Sequence, residues 1–190
     1  MILGITGGSG SGKTTLLKTA EALGFLVLDC DAIYHNLLRT DRALLHAIES
    51  RFPGSVEDGQ LQRKKLGARV FSDPDALKDL NAITHSAVIR EVRRQLIADR
   101  HIAIDAAALF ESGMDDLCDV TVTVTAPKEI RIARLMARDG ISRNYAESRI
   151  DAQPRDDWYA EKSNHILVND TDPGTFQTKC LAFFRQLGIM

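Results

Sequence analysis

Little in the 190-residue chain points away from an ordinary globular class. It has three cysteines, Cys30, Cys118 and Cys180, widely spaced and odd in number, with no CxxC pair and no Cys/His cluster. That excludes a disulfide framework and a zinc-ribbon type of centre, and predicts reduced, mostly buried thiols. No apolar run approaches the roughly 20 residues that a membrane helix needs. The chain does not open on the basic, apolar and cleavage segments of a secretory leader. The net charge of -2 lacks the basic excess of a non-specific polyanion binder. Repeats and low-complexity linkers are missing too. These absences predict a cytoplasmic chain with neither a membrane nor a nucleic acid as partner, and they leave its oligomeric state open. Any phosphate binding must then come from a local arrangement of donors and cations.

What is present is an alternation of strand and helix. Ile2 to Thr6 is a short apolar run that stops at glycines and reads as a buried strand. Thr14 to Leu23 follows as a helix with Leu16, Leu17, Ala20 and Leu23 on one face and Gly24 as its stop. Phe25 to Leu28, Ile102 to Ala106, Val120 to Val124 and His165 to Val168 read as four more strands. Pro127 to Arg138 is a helix that starts on proline. Asp172 caps a last helix with Pro173 in its first turn, a stripe of Phe176, Cys180, Phe183 and Leu187, and Gly188 at its end. Five strands separated by helices predict an α/β fold with a doubly wound parallel sheet, whose sites lie beyond the carboxyl ends of the strands. Two stretches interrupt the alternation. Residues 39–100 carry helical spacing (Leu77, Leu80, Ile83, then Val88, Val92, Leu96) and residues 138–162 are charged and rich in arginine.

The strongest chemical signal is Gly7-Gly8-Ser9-Gly10-Ser11-Gly12-Lys13-Thr14, which satisfies GxxxxGK[ST] at every fixed position, with a strand before it and a helix after it. Glycines let the backbone curl so that successive N–H groups face phosphate oxygens. The next helix adds its own unpaired N–H groups and positive dipole end. Gly8, Ser9, Gly10, Ser11, Gly12, Lys13, Thr14 and Thr15 are therefore the candidate nucleotide-binding residues. Lys13 is the cation for the β- and γ-phosphates, and the Thr14 hydroxyl is a ligand for Mg²⁺, a hard ion that prefers oxygen. The motif alone does not separate kinase from ATPase or GTPase.

Asp29-Cys30-Asp31 stands at the carboxyl end of the second strand. Alternation along a strand sends Asp29 and Asp31 the same way. A carboxylate there can take a proton from a substrate hydroxyl or hold Mg²⁺ through water. Equally, Asp31 can cap a helix starting near Ala32. Asp105 ends the third strand, the usual place for an acid that steadies Mg²⁺.

With these residues in place, the chain resembles the dephospho-coenzyme A kinase family. The likeness runs through Ile2 to Leu17, Val27-Leu28-Asp29-Cys30-Asp31, Leu80-Asn81-Ala82-Ile83-Thr84-His85, Leu109-Phe110-Glu111, Arg134 to Gln153 with Arg149, Ile150 and Gln153, and Val168-Asn169. The resemblance implies one P-loop NTPase-type kinase domain over residues 1–190. Its core would be 1–38, 101–137 and 163–190, with 39–100 a helical substrate-binding insertion and 138–162 a helical lid. It implies ATP and Mg²⁺ as cofactors and dephospho-coenzyme A as substrate, phosphorylated on its ribose 3′-hydroxyl. In that scheme Asp31 is the base or hydroxyl-orienting carboxylate and acts with Lys13. Asp29, His85, Phe110 and Glu111 lie near the acceptor, Arg138 and Arg143 contact phosphate from the lid, and Asn169 lies near the adenine. Ser86, Ala107, Ala108 and Asn164 depart from the family pattern and bear on the acceptor. The alternative is another P-loop nucleoside or nucleotide kinase. A guanine-reading NKxD segment, which a GTPase would carry, does not occur.

Overall fold

β1 (Ile2–Thr6) is buried from Leu3 onward and lies at the centre of a five-stranded sheet in the computed structural model, which describes residues 1–97 and 99–189. β5 (Ile102–Asp105) and β6 (Val120–Thr125) flank it, both parallel to it, in registers that pair Ile5 with Asp105 and with Val122. β2 (Leu26–Asp29) lies outside β5 and β7 (His165–Val168) outside β6, giving the order β2-β5-β1-β6-β7. The chain leaves β1 toward β2 on one side and leaves β5 toward β6 on the other. The β1/β5 boundary is thus a topological switch point, where open α/β sheets leave a crevice at the carboxyl ends of their strands.

The chain divides into two units. The first comprises Met1–Val27 and the stretch from Asp99 onward, and holds the sheet core. In it α1 (Lys13–Ala22) packs with α9 (Pro173–Gln186). Leu16 and Ala20 from α1 join Phe176, Cys180, Phe183 and Phe184 from α9 against Leu3, Ile5, Ala103, Val122 and Val124 of the strands. Leu17, Leu23 and Leu187, expected on the same stripes, pack at the margin of this core, and Phe184 takes a fully buried place. Asp172 caps α9 as its spacing predicts, accepting from the amides of Gly174 and Thr175. α6 (Lys128–Asp139) and α7 (Arg143–Asp151) close a smaller cluster of Ile132, Leu135, Ala146 and Ile150. A short α8 (Asp156–Lys162) leads into β7, whose start is pinned to β6 by the Asn164 side-chain oxygen on the Thr121 amide at 2.7 Å. An amide oxygen suffices for that bond, so asparagine at 164 keeps the turn closed.

The second unit begins at Leu28, inside β2. Its helices are α2 (Cys30–Thr40), α3 (Arg42–Arg51), α4 (Arg63–Val70) and α5 (Pro74–Gln95). α2, α3 and α4 each pack on α5. A minimal hairpin, β3 (Val56–Glu57) with β4 (Gln60–Leu61), interrupts a stretch that reads as wholly helical from sequence. Its turn holds Asp58 and Gly59 at positive φ, a local feature that hydrophobic spacing does not report. Among the described residues, no helix is long and apolar enough to cross a membrane.

Candidate active site

Four helices open on an aspartate that accepts hydrogen bonds from first-turn amides: Asp29 for α2, Asp41 for α3, Asp73 for α5 and Asp172 for α9. α1 opens differently. Its N-cap is Gly12 at φ 92°, with no side-chain cap and no acid in its first turn. The positive end of α1 is left for a ligand to complete. Within the preceding loop the amides are unequally committed. Ser11 N–H donates to the Gly8 carbonyl at 3.1 Å, Thr15 N–H to the Gly12 carbonyl at 3.0 Å, and Ser9 N–H to Gln153 Oε1 at 2.8 Å. The amides of Gly10, Gly12, Lys13 and Thr14 have no acceptor among the described residues. They are among the donors available to a phosphate, together with the Gly8 amide, which has no acceptor among the described residues either.

Side chains from distant parts of the chain hold three of the loop's carbonyls. Arg131 Nε donates to the Ser9 carbonyl at 2.9 Å, and Arg134 Nη1 to the carbonyls of Gly10 and Ser11, both at 3.2 Å. Asn169 Nδ2 donates to the Ser11 carbonyl at 2.8 Å, while its own Oδ1 accepts from Arg134 at 3.1 Å. The sequence-predicted nucleotide residue Asn169 is therefore a buried tie on the loop. Arg131 carries no sequence signal for this place. Arg134 opens the Arg134 to Gln153 stretch that carries part of the family likeness but does not stand out there. The periodicity of α6 puts both on one turn-to-turn row (i, i+3), and only the fold brings that row to the loop.

Lys13 donates to Asp105 Oδ1 across the β1/β5 crevice, with both side chains about one-fifth exposed. Thr14 is exposed beside it. Among the described residues no group of three or more His, Cys, Asp or Glu side chains could hold a metal ion. A Thr14 hydroxyl and one Asp105 carboxylate are two hard oxygen donors. That set fits Mg²⁺, which keeps several waters and takes phosphate oxygens rather than a full protein cage. The Ser11 hydroxyl is buried without a partner, so Ser11 serves the loop through its main chain.

In the helical unit, Asp29 and Asp31 are both exposed. The cap of α2 is Asp29, which accepts from the Ala32 amide at 2.9 Å. This corrects the expectation that Asp31 caps a helix from Ala32: α2 already starts at Cys30 and Asp31 sits in its first turn. The strand also ends at Asp29, so strand alternation does not relate the two carboxylates. Asp31 is left without a capping bond. His85 lies half-buried on α5, and desolvation holds its imidazole below the usual pKa, hence neutral at pH 7.

Back in the sheet unit, Phe110 meets Trp158 edge-on at 5.8 Å, and Trp158 meets Tyr159 edge-on at 5.1 Å. Desolvation pushes the Glu111 carboxyl up, against the pull of Lys162. It pushes the Tyr159 hydroxyl up to about 12, with the Glu111 charge adding to the effect and Arg131 opposing it. Phe110 and Glu111 thus belong to one cluster with Trp158, Tyr159 and Arg131. Arg138 and Arg143 lie elsewhere. Arg138 pairs with Asp139 at 2.7 Å, and Arg143 with Glu129 at 2.7 Å and Glu147 at 2.9 Å, all on the surface.

Comparisons with known proteins bear on this geometry. The family model described as dephospho-CoA kinase matches residues 1–173. A dephospho-CoA kinase of Corynebacterium diphtheriae is 35% identical over 175 residues, 88% of this chain and 88% of that protein. A crystal structure of a Thermus thermophilus protein superposes with a TM-score of 0.80 at 32% identity, covering 98% of this chain and 97% of that one. The dephospho-CoA kinase of Campylobacter jejuni superposes with a TM-score of 0.72 at 26% identity, covering 100% and 98%.

Proposed function

This chain belongs to the dephospho-CoA kinase family, and from that premise we propose how its residues divide the reaction. It is a kinase that moves the terminal phosphoryl group of ATP to dephospho-coenzyme A, giving coenzyme A and ADP. In this family the acceptor is the ribose 3′-hydroxyl. The observation that carries the reading is the α1 terminus: a run of uncommitted amides, a glycine cap where four other helices carry aspartate, and Lys13 at the strand ends.

In our reading those amides and the Lys13 ammonium bind the phosphate tail and stabilise the charge that spreads over the transferred group. Thr14 and Asp105 are the side chains that would hold Mg²⁺, which when bound neutralises phosphate charge. Asp31 orients the acceptor hydroxyl and takes its proton. Its exposure and lack of a capping duty leave it available for that role. The stretch 39–100 serves as the acceptor arm, with Asp29 and His85 contributing, and 138–162 as a lid. The Phe110–Trp158 pair and Glu111 supply the acceptor contacts of the sheet unit. Arg138 and Arg143 would have to exchange their carboxylate partners for phosphate when the lid closes.

The test is product detection by mass after incubation with ATP, Mg²⁺ and dephospho-coenzyme A, set beside nucleoside monophosphates as acceptors and Lys13→Ala as control. Coenzyme A formed by the wild type alone supports the reading. Transfer to nucleoside monophosphates in its place would overturn it in favour of a nucleotide kinase.

A further inference from the structure

Ser9 stands in the phosphate loop between two glycines, Gly8 and Gly10, the second at φ 78°. A Gly-Ser-Gly run is the part of a backbone most free to rotate its peptide planes. Here it is closed into a ring by two side chains from distant parts of the chain. Arg131 Nε donates to the Ser9 carbonyl at 2.9 Å, Arg131 Nη2 donates to Gln153 Oε1 at 2.9 Å, and the Ser9 amide donates to that same Oε1 at 2.8 Å. Gln153 Nε2 also reaches the Ser9 hydroxyl at 3.3 Å. Both main-chain groups of Ser9 and its side chain are therefore held by one arginine–glutamine pair.

Two further observations show that the fold is built around this pair. The Arg131 side chain is 8% exposed, and its ion partner among the described residues, Asp156, is 3.9 Å away and mostly exposed. Such burial disfavours the charged form and holds the guanidinium below its usual pKa. With its ion partner that far away, the buried cation depends on its hydrogen bonds to the Ser9 carbonyl and Gln153 for compensation. The glycines make room for it as well. A Cβ on Gly8 would lie 2.2 Å from Arg131 Nη2 and 3.0 Å from Gln153 Oε1, and a Cβ on Gly10 would lie 2.7 Å from the Arg131 carbonyl oxygen. At Gly8 it is the Arg131 guanidinium that a Cβ would meet, whereas at Gly10 it is the main chain of α6, and the positive φ there favours glycine as well.

We propose that Arg131, acting through Gln153, is a positioning residue for phosphoryl transfer: it clamps the Ser9 peptide so that the loop holds its phosphate-receiving shape before nucleotide arrives. A guanidinium suits the task because its fork reaches two acceptors at once, the Ser9 carbonyl and Gln153 Oε1. The inference rests on the kinase reading above. Gln153 sits between α7 and α8, so the clamp also ties the proposed lid to the loop through one side chain.

The experiment measures steady-state kinetics with dephospho-coenzyme A and ATP for wild type, Arg131→Met, Gln153→Ala and the double variant, at 20 °C, with circular dichroism as the check of folding. Losing a hydrogen bond to a charged group corresponds to a loss on the order of ten- to a hundred-fold. KM for ATP should rise by that factor in each single variant, with KM for dephospho-coenzyme A within about two-fold. The double variant should be little worse than either single one, because each opens the same ring. Two results would overturn the clamp: unchanged KM for ATP in folded single variants, or effects that multiply in the double variant. A lowered melting temperature with unchanged KM would mean that the pair only stabilises the fold. If Arg131→Met does not fold, Gln153→Ala decides the matter by itself. A wild type that makes no coenzyme A would count against the kinase reading instead, so the two failures stay separate.

Discussion

Gly12 and Gly24 bracket α1, and replacing each by alanine separates two costs that glycine avoids. Both have positive φ, 92° and 87°. Alanine in that region costs roughly 1–2 kcal/mol at either site. Around Gly24 a new Cβ meets nothing within 4 Å. At Gly12 the Cβ would lie 2.0 Å from Asn169 Nδ2. Asn169 is buried, and its Nδ2 holds the Ser11 carbonyl, so it has to move and leave a buried amide unsatisfied. That adds about 1–3 kcal/mol. Gly24→Ala should thus lose about 1–2 kcal/mol and Gly12→Ala about 2–5 kcal/mol, the difference being the Asn169 tie. For a chain of this size the extra loss lowers the melting temperature by a further ~2–12 °C. Urea unfolding of the two variants without nucleotide, with the slope m compared to exclude a change of denatured state, measures the difference. Equal losses in the two variants, within about 0.5 kcal/mol, would refute the reasoning. They would mean that Asn169 gives way freely and that the tie on Ser11 is not a structural constraint.

Other outcomes follow from single groups. Lys13→Ala should reduce transfer by about 10²–10³-fold, the usual cost of removing one charge-stabilising donor from a transferring group; a variant that keeps more than a tenth of wild-type turnover removes Lys13 from the mechanism. Asp31→Asn should keep its melting temperature, because Asp29 carries the cap, and lose turnover by about 10²–10⁴-fold. Asp29→Asn and Asp29→Ala serve as the stability comparison, and an Asp31 variant that turns over at the wild-type rate disproves the base assignment. Acid stability should report Glu91, whose carboxyl is lowered from 4.5 to about 2 chiefly by the Arg94 hydrogen bond and then by Gln95. A depressed carboxylate contributes above its unfolded pKa, and that contribution is lost as pH falls from about 4.5 toward 2. Glu91→Gln should flatten the pH dependence of stability in that window; an unchanged slope argues that the pair is screened away. Cys118 and Cys180, whose thiols desolvation raises to about 12 and about 11, should resist alkylation at pH 8 in the native protein and react fully in urea.

The amino-acid sequence by itself determined the parts whose physics is local. An apolar run followed by glycines, a lysine and a threonine carries strand, loop, helix start and phosphate chemistry within Ile2 to Thr15, because a backbone cradle is made by consecutive residues. Alternating strands and helices implied a parallel sheet because each helix returns the chain to start the next strand in the same direction, and Asp172 followed by Pro173 announced its helix. Only the tertiary structure decided the rest. Strand order put β1 between β5 and β6 and so set Asp105 against Lys13. Chain folding carried Arg131, Gln153 and Asn169, separated from the loop by 122, 144 and 158 residues, onto Ser9 and Ser11. The direct passage from β2 into α2 at Asp29–Cys30 gave the cap to Asp29 and left Asp31 free of it. An arginine on a charged helix looks the same in sequence whether it meets water or a carbonyl. Burial and partners distinguish the two, and they exist only once distant segments have packed.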